Sequence, residues 1–473
     1  MIRIFVLLLL AFCPFAADVA AEDRPPNIVL VMADDQGWGD MAYNGHPVLK
    51  TPHFDAMARE ALRLDRFYAA APVCSPTRGA VLTGRHPNRF GCFSWGHSLR
   101  PQEITVAEAL REAGYVTGHF GKWHLGSVRE GSPVNPGASG FDRWISAPNF
   151  FENDAILSDG GKAVQTQGES SEVVVDLSLE FIEQSQASGK PFLAVVWFGS
   201  PHAPHVALPE DVAGYPDQPR AKQNFYSEVT AMDRAFGKLR KGLEELGVRE
   251  NTVLWYTSDN GALPRVGSSG GFRGKKGDIY NGGLLVPAMI EWPARIPTPR
   301  HDATPLNSTD ILPTVLEIAG VPVPDDRPLD GVSLLPLIEG RPLAERSMGF
   351  WSYPVRGIST PSAEWMAELL AAQQSGAELP SDPVRLRMDA GEIEPIDPPG
   401  FPGHAAWVSG PWKLHRIQPA NRPEPRFELY DLEADPNESM DLASKESSRM
   451  AAMRKELEAW LASVVSSHNG EDY

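Results

Sequence analysis

Cysteine, basic residues and long apolar runs are all scarce in this chain of 473 residues. Three cysteines are too few for a disulfide framework, which excludes a small fold held together by cross-links. The 43 basic residues against 61 acidic ones give a net charge of −18, which argues against a nucleic-acid partner. After the N-terminus no apolar run is long enough to predict a membrane-spanning helix. An anionic ligand must therefore be attracted by a local cluster of basic side chains.

Residues 1–21 have the pattern of a secretory signal peptide. Arg3 precedes the apolar run IFVLLLLAF, and the small residues Val19 to Ala21 precede Glu22. The run is too short to cross a bilayer as a helix. We therefore expect a chain that is exported to the periplasm or secreted, or delivered to a lysosome-like compartment if the source is eukaryotic.

Length and pattern predict two units after the signal peptide, because a chain of this size exceeds one compact core. Residues 22–345 alternate short apolar strands with amphipathic helices, which predicts an α/β domain with a large mixed, mostly parallel sheet flanked by helices. Residues 346–473 predict a smaller C-terminal α+β unit. Its predicted parts are strands of an antiparallel sheet at 407–415 and 427–432, a closing helix at 447–465 and a proline-rich insertion at about 353–405.

The stretch 73–85, VCSPTRGAVLTGR, combines a cysteine, a proline and an arginine at the start of a predicted helix. Pro76 fixes its own φ and disfavours helix at the residue before it, which predicts a tight turn and a helix from about Thr77. Cys74 then lies at a helix N-terminus, where backbone N–H groups favour an anion. Arg78 follows about one turn later with a planar set of donors suited to phosphate or sulfate.

Cys74 also has a plainer interpretation. Outside the signal peptide the chain contains only one other cysteine, Cys92. In an exported chain a cysteine is more often half of a disulfide than a nucleophile. Spacing alone therefore favours a disulfide between these two residues.

Two apolar segments, 27–32 and 252–257, predict buried parallel strands, and each is followed by polar residues. These residues are Asp34 and Asp35 after the first strand, and Asp259 and Asn260 after the second. Open α/β sheets place ligands at the carboxyl ends of their strands. An all-oxygen set suits Ca²⁺ or Mg²⁺ and not Zn²⁺, although a lone Asp-Asp pair is more often a solvated turn.

Basic side chains recur in three further loops. Lys122 and His124, in the hexamer GKWHLG, share parity, so an extended backbone points both to one face. His202 lies in a loop with two prolines, and Lys276 lies in the glycine-rich basic loop 267–283. Taken singly, each of these residues is more often an ordinary solvated side chain.

Together these segments resemble the signature of the type I sulfatases. CSPTRGAVLTGR follows the family's C-x-P-x-R pattern with its T-G-R run, GKWHLG matches a second hallmark, and RGKKGDIYNGG matches the segment R-x-x-K-x-x-x-x-E-G-G. Asn281 departs from the pattern, since the family has glutamate there, and we interpret this as changed support of the loop. The resemblance covers nearly the whole mature chain except the insertion, and implies the alkaline-phosphatase-like fold.

The resemblance also implies the catalytic residues. They are Cys74, Arg78, Lys122, His124, His202, Asp259 and Lys276. In the family a formylglycine-generating enzyme converts the cysteine to formylglycine, an aldehyde whose hydrate is the nucleophile. The arginine and the two lysines would bind sulfate, and His124 would support the hydrate. His202 would assist the leaving alcohol and Asp259 would act as the base.

A bound metal is implied as well. The family binds one divalent cation, usually calcium, with magnesium the other possibility, and the cation also touches the formylglycine. The implied ligands are Asp34, Asp35, Cys74, Asp259 and Asn260. Four of the five supply oxygen atoms, in agreement with the chemistry expected of the two strand ends.

The function expected from these features is hydrolysis of sulfate esters by an exported sulfatase, with a sulfated carbohydrate or an aryl sulfate as substrate. Two alternatives remain open at this point. One is a phosphate or phosphonate monoester hydrolase on the same scaffold, and the other is a non-catalytic protein that binds sulfated polysaccharide. Several aromatic or polar residues in predicted loops are candidates for stacking on a sugar ring, or equally for structural roles: Trp95, His97, Trp144, Phe150 and Phe151.

Overall fold

The strand NIVLVMA, Asn27–Ala33 (β1), is apolar and buried from Ile28 to Ala33, as expected of a strand that is covered on both faces. Its odd and even residues belong to two different hydrophobic clusters: Ile28, Leu30 and Met32 pack on one side, and Val29 and Val31 on the other. The strand is therefore the centre of a three-layer α/β arrangement.

A computed structural model describes residues 24–379, 381–397, 400–419, 422 and 424–473. The predicted signal peptide at 1–21 lies outside the described residues. No helix in these ranges combines the length and the apolar composition needed to cross a bilayer.

Ten strands form the main sheet. After β1 the further strands within the described ranges are β2 Leu62–Leu64, β3 Phe67–Tyr68, β4 Val116–Lys122, β5 Arg143–Ala147, β6 Ile156–Asp159, β7 Lys162–Gln165, β8 Phe192–Trp197, β9 Thr252–Ser258, β10 Met289–Glu291, β11 Arg300–Asp302, β12 Leu306–Asn307, β13 Ser347–Ser352, β14 Gly403–Ser409, β15 Trp412–Gln418 and β16 Arg426–Asp431. The main sheet has the order β11-β2-β10-β9-β1-β8-β4-β5-β6-β7. The five strands from β9 to β5 in that order are all parallel, and antiparallel pairs lie toward both edges.

Helices cover both faces of this sheet. They are α1 Pro52–Glu60, α2 Cys74–Thr83, α3 Val106–Glu112, α4 Ser170–Ser188, α5 Pro209–Val212, α6 Arg220–Glu245, α7 Asn281–Leu284, α8 Ile311–Ala319, α9 Leu335–Ile338, α10 Ser362–Ser375 and α11 Ser447–His468. Apolar residues of α1, α4 and α6 pack in one of the two large clusters, and those of α2, α3 and α8 pack in the other. The helix α2 thus approaches the sheet from the face opposite α4 and α6.

The C-terminal part of the chain forms a second sheet. Strands β13 to β16 pair antiparallel in sequence order, and apolar residues of α11 pack against them. A two-stranded pair, β3 with β12, lies apart from both sheets. The predicted fold class is therefore confirmed: a large mixed, mostly parallel sheet flanked by helices, with a smaller antiparallel sheet and helix after it.

Three local predictions need correction. The helix after Val73 begins at Cys74 and not at Thr77, because Pro76 fits the first turn, where its missing N–H is not required. The predicted strand 407–415 is two strands, since Gly410, at φ +56°, turns the chain between β14 and β15. The last residues of the predicted insertion belong to β14, which begins at Gly403.

Candidate active site

The ends of β1 and β9 bring four polar side chains together. The two strands pair parallel with Ala33 opposite Ser258, so the residues that follow them meet at one edge of the sheet. Asp34, Asp35, Asp259 and Asn260 are all fully buried there. The side chains are linked across the strands: the Asp35 N–H donates to Asp259 Oδ1 at 3.0 Å, and Asn260 Nδ2 donates to Asp35 Oδ1 at 2.8 Å.

Cys74 lies in the same centre, at the first residue of α2. Its Sγ is 3.6 Å from Asp34 Oδ1, 3.9 Å from Asp35 Oδ1 and 3.5 Å from Lys276 Nζ. Cys74 and Cys92 are both free and buried, so the disulfide favoured by spacing alone is wrong. Burial, with Asp259 nearby, raises the pKa of the Cys74 thiol. As a plain cysteine it is therefore a poor nucleophile, because the thiolate is the reactive form.

Three cations neutralise this cluster of carboxylates. Arg78 donates from Nη2 and Nε to Asp259 Oδ2 at 2.7 and 3.1 Å. Lys122 Nζ donates to Asp34 Oδ2 at 2.6 Å, and Lys276 Nζ donates to Asp35 Oδ2 at 2.7 Å. Arg78 and Lys122 are fully buried. The structure thus brings together the three residues to which the resemblance assigns sulfate binding.

The carboxylates of the centre differ in their pKa. Burial raises the pKa of Asp34 to about 7, against the opposing charge of Lys122. Burial would also raise the pKa of Asp35, but Lys276 and His202 outweigh it and hold that pKa below its usual range. Arg78 has the same lowering effect on Asp259. At neutral pH Asp35 and Asp259 are therefore ionised.

Two histidines border the centre. His202 Nε2 is 3.6 Å from Asp35 Oδ2, and its ring stacks on Phe150 with a centroid distance of 4.4 Å. Burial lowers the pKa of His202 to about 3, so at neutral pH the ring is uncharged. His124 is also buried, and its Nε2 lies 3.1 Å from the hydroxyl of Thr360. Thr360 was not identified from the sequence.

The donor set fits a hard divalent cation. Ligand atoms of Asp34, Asp35, Cys74 and His202 lie within 4.8 Å of one another. Asn260 Oδ1 is buried and has no hydrogen-bond partner among the described residues, which is costly for a polar atom unless a cation binds it. These oxygen atoms suit Ca²⁺ or Mg²⁺. Both oxygens of Asp259, also a predicted ligand, accept hydrogen bonds, one from the Asp35 backbone and one from Arg78.

The loop that carries Lys276 is held by the C-terminal part of the chain, through Lys413 of β15 and Glu438 after β16. The backbone N–H of Asn281 donates to Glu438 Oε2 at 2.6 Å, and Lys413 Nζ donates to Asn281 Oδ1 at 2.9 Å. Lys413 and Glu438 form an ion pair at 3.0 Å with both side chains fully buried. The family pattern has a glutamate at the position of Asn281. In this chain Asn281 instead bonds to the carboxylate of Glu438, which comes from another part of the chain. Neither Lys413 nor Glu438 was identified from the sequence.

The aromatic candidates for substrate contact differ in how much of each side chain is exposed. Trp144 and Phe151 are buried, so they contribute to the core. Trp95 is 39% exposed and packs against Gly357 of the insertion. Phe150 stacks on His202, as described above, and His97 bonds to the carbonyl of Arg356 at 3.2 Å. Trp95 and Phe150 remain the candidates for contact with a substrate.

Comparison with known proteins identifies the class. Residues 26–321, more than half of the chain, match the Sulfatase family model. N-acetylgalactosamine-6-sulfatase of Canis lupus familiaris is 34% identical over 388 residues, covering 73% of this chain and 72% of that protein. Arylsulfatase A of Homo sapiens is 32% identical over 408 residues, covering 77% and 78%. The crystal structure of Ps i-CgsB with k-i-k-neocarrahexaose has a TM-score of 0.73 at 23% identity, covers 93% of each chain and shows the same fold.

The chain belongs to the sulfatase family. It is a hydrolase of sulfuric esters, which makes the non-catalytic alternative wrong.

Proposed function

We propose that the chain is an exported sulfatase that uses a formylglycine made from Cys74 by a formylglycine-generating enzyme. The observation that carries the proposal is the position of Cys74 Sγ, within 4 Å of Lys276 Nζ and of two carboxylates. A raised thiol pKa disfavours the reactive thiolate of the unmodified side chain, whereas an aldehyde hydrate at that position needs no thiolate. Export rests on the signal-peptide pattern of residues 1–21.

The basic residues account for binding of the sulfate group. A sulfate ester resists attack because its oxygens carry negative charge, and Arg78, Lys122 and Lys276 would neutralise those oxygens. Each preorganised contact of this kind is worth about 3 kcal/mol in the transition state. A divalent cation held by Asp34, Asp35, Asp259 and Asn260, and by the modified Cys74, would add Lewis-acid stabilisation at the same oxygens.

The remaining residues move protons. The hydrate made from Cys74 supplies one hydroxyl that attacks sulfur and a second that later expels sulfate. Asp259, kept ionised by Arg78, would accept the proton of the attacking hydroxyl. His202 would assist the departing alcohol, and because its ring is uncharged at neutral pH it must first take up a proton to do so. His124 would take the proton of the second hydroxyl, so that sulfate leaves and the aldehyde is restored.

A sulfated carbohydrate is the substrate class that we favour over a simple aryl sulfate. One relative is named for a sulfated amino sugar, N-acetylgalactosamine 6-sulfate. The exposed ring of Trp95 is joined to the active centre, because the Gly96 N–H donates to the Ser75 hydroxyl at 2.9 Å. An exposed aromatic ring beside the site suits the flat face of a pyranose.

The proposal is tested on the proteolytic peptide that contains Cys74, from protein made in a host with a formylglycine-generating system. We expect its mass to be lower than that of the cysteine form by the thiol-to-aldehyde change. We also expect an aldehyde-reactive probe to label that peptide and not the peptide with Cys92. An intact thiol in a preparation that hydrolyses an aryl sulfate would refute the formylglycine mechanism.

Removal of divalent cations should inactivate the enzyme reversibly. A cation that binds only the folded chain stabilises it by about 2.7 kcal/mol when its free concentration is 100 times Kd. Its removal also leaves the buried carboxylates to repel one another. After dialysis against EDTA we expect lower hydrolysis of an aryl sulfate and a lower Tm. Calcium or magnesium should restore both. If Zn²⁺ alone restored activity, the assignment of an oxygen-donor site would be wrong.

A further inference from the structure

The insertion between β13 and β14 reaches the active centre through Thr360. This residue is 7% exposed and lies two residues before α10. Its Oγ1 is 3.1 Å from His124 Nε2, and its carbonyl accepts a hydrogen bond from Asn149 Nδ2 at 3.1 Å. Thr360 of the insertion is thus bonded to two loops at the main sheet, the one after β4 that contains His124 and the one after β5 that contains Asn149.

The same segment is joined to the start of α2. The Ile358 N–H donates to the Trp95 carbonyl at 2.8 Å, and the next residue, Gly96, donates to the hydroxyl of Ser75. Gly96 has φ +77°, and a Cβ there would lie 1.9 Å from the Ile358 carbonyl oxygen, so only glycine allows this approach. The position of Thr360 is therefore fixed by backbone contacts beside Cys74.

The orientation of the His124 ring depends on its contact with the Thr360 hydroxyl. The φ of His124 is +57°, in the left-handed region that residues with a side chain rarely adopt. The ring is buried, and its Nδ1 has no hydrogen-bond partner among the described residues. Burial, together with Lys122 and Arg78, lowers the pKa of His124 far below its usual value, so one ring nitrogen carries a proton and the other is bare. If Nε2 donates in its contact with the Thr360 hydroxyl, Nδ1 is the nitrogen left bare.

We propose that Thr360 is a positioning residue, whose hydroxyl accepts the Nε2–H of His124 and so leaves Nδ1 as the bare nitrogen. The inference rests on the proposed function, because it concerns release of sulfate. Nδ1 takes the proton of the remaining hydroxyl, whose O–H electron pair forms the new C=O bond. The C–O bond to sulfate breaks, and its electron pair leaves with the sulfate dianion. The imidazolium then returns its proton to water.

The test compares Thr360→Val, which replaces the hydroxyl by a methyl group, with Thr360→Ser, which keeps it. With 4-nitrophenyl sulfate we expect the Val variant to keep the initial burst of nitrophenol but to lose about tenfold in kcat, equivalent to one hydrogen bond. Quenched samples should contain enzyme with sulfate attached, detectable by intact mass. The Ser variant should return kcat to within about twofold of wild type.

Two controls make the result specific. Thr360→Val in a His124→Ala background should produce no further loss of kcat, because the residue acts through His124. Ser359→Ala, a change in the exposed neighbour, should leave burst and kcat unchanged. The inference is overturned if the Val variant has the kcat of wild type, or if it loses burst and kcat equally. Thr360→Ala serves in the same assays if the Val variant does not fold. Absence of turnover in the wild type would instead contradict the proposed function.

Discussion

Replacement of Cys74 by serine is expected to stop the enzyme after one turnover. The residue begins α2 and is 1% exposed, and serine is close in size to cysteine, so the fold should be retained. A serine hydroxyl can attack sulfur, but it lacks the second hydroxyl that would expel sulfate. Steady-state kcat should therefore fall by on the order of a thousandfold or more relative to the aldehyde form.

The measurement is the intact mass of the serine variant after incubation with an aryl sulfate. We expect a stable sulfate adduct on the peptide that contains residue 74, formed in step with one equivalent of released alcohol. Cys74→Ala should be equally inactive in steady state but should form no adduct, and Cys92→Ser should retain activity. The two variants of residue 74 are to be made in cells without a formylglycine-generating system, whereas Cys92→Ser and the wild-type reference are to be made in cells that have one. Sustained turnover by the serine variant would show that no second hydroxyl is needed.

The position of Cys74 beside the strand ends could be predicted because it depends on short sequence patterns. Apolar runs such as 27–32 indicate buried strands, and parallel strands bring their carboxyl ends to one edge. Asp35 and Asp259 are therefore expected to meet although 224 positions separate them. The pattern CSPTRGAVLTGR predicts a helix N-terminus near Cys74, and the structure places that N-terminus at the same edge of the sheet.

The start of α2 could not be predicted in the same way, because two rules for proline conflict. Proline disfavours helix at the preceding residue, which favoured a start at Thr77. Proline is also tolerated in a first helical turn, where its N–H has no carbonyl to pair with. Tertiary contacts decide between the two: Thr77 Oγ1 donates to the Ala71 carbonyl at 3.0 Å and accepts from the Ala71 N–H at 3.2 Å. The whole segment from Cys74 is thereby held as helix.

The residues that support the catalytic side chains left no signal in the sequence. Thr360 meets His124 across 236 positions, and Glu438 meets Asn281 across 157. A threonine before a helix or a glutamate in an acidic segment has many ordinary explanations. Contacts of this kind follow from how the C-terminal residues pack against the main sheet and its loops, which no local periodicity specifies.

Replacement of Lys413 by methionine is expected to destabilise the fold and to weaken substrate binding. The lysine donates to the carbonyl of Ile279 and to Asn281 Oδ1, both at 2.9 Å, and pairs with Glu438. Burial alone would raise the pKa of Glu438, but Lys413 and His415 lower it to about 2, so the carboxylate is ionised at neutral pH. Methionine would leave this charge buried without its lysine partner. Such a loss costs about 3–5 kcal/mol.

The effect on substrate binding is expected because Lys413 and Glu438 hold the loop that carries Lys276. Asn281 is five positions after Lys276 and is held by both members of the ion pair, so a loosened pair displaces the lysine that contacts Cys74. We expect KM for an aryl sulfate to rise by about tenfold in variants that still fold, since one contact to the sulfate is weakened. Urea unfolding at pH 7 and steady-state kinetics measure the two effects separately.

A double-mutant cycle distinguishes the ion pair from a general loss of packing. Glu438→Gln should destabilise the chain by an amount similar to Lys413→Met, because it leaves the lysine charge unpaired. The double variant should lose less stability than the sum of the single losses, since neither charge is then buried alone. Lys445→Met, at an exposed position nearby in sequence, should change stability by less than about 0.5 kcal/mol. Strictly additive losses would mean that Lys413 and Glu438 stabilise the loop independently, and the support of Lys276 would then have to come from the backbone bond of Asn281 alone.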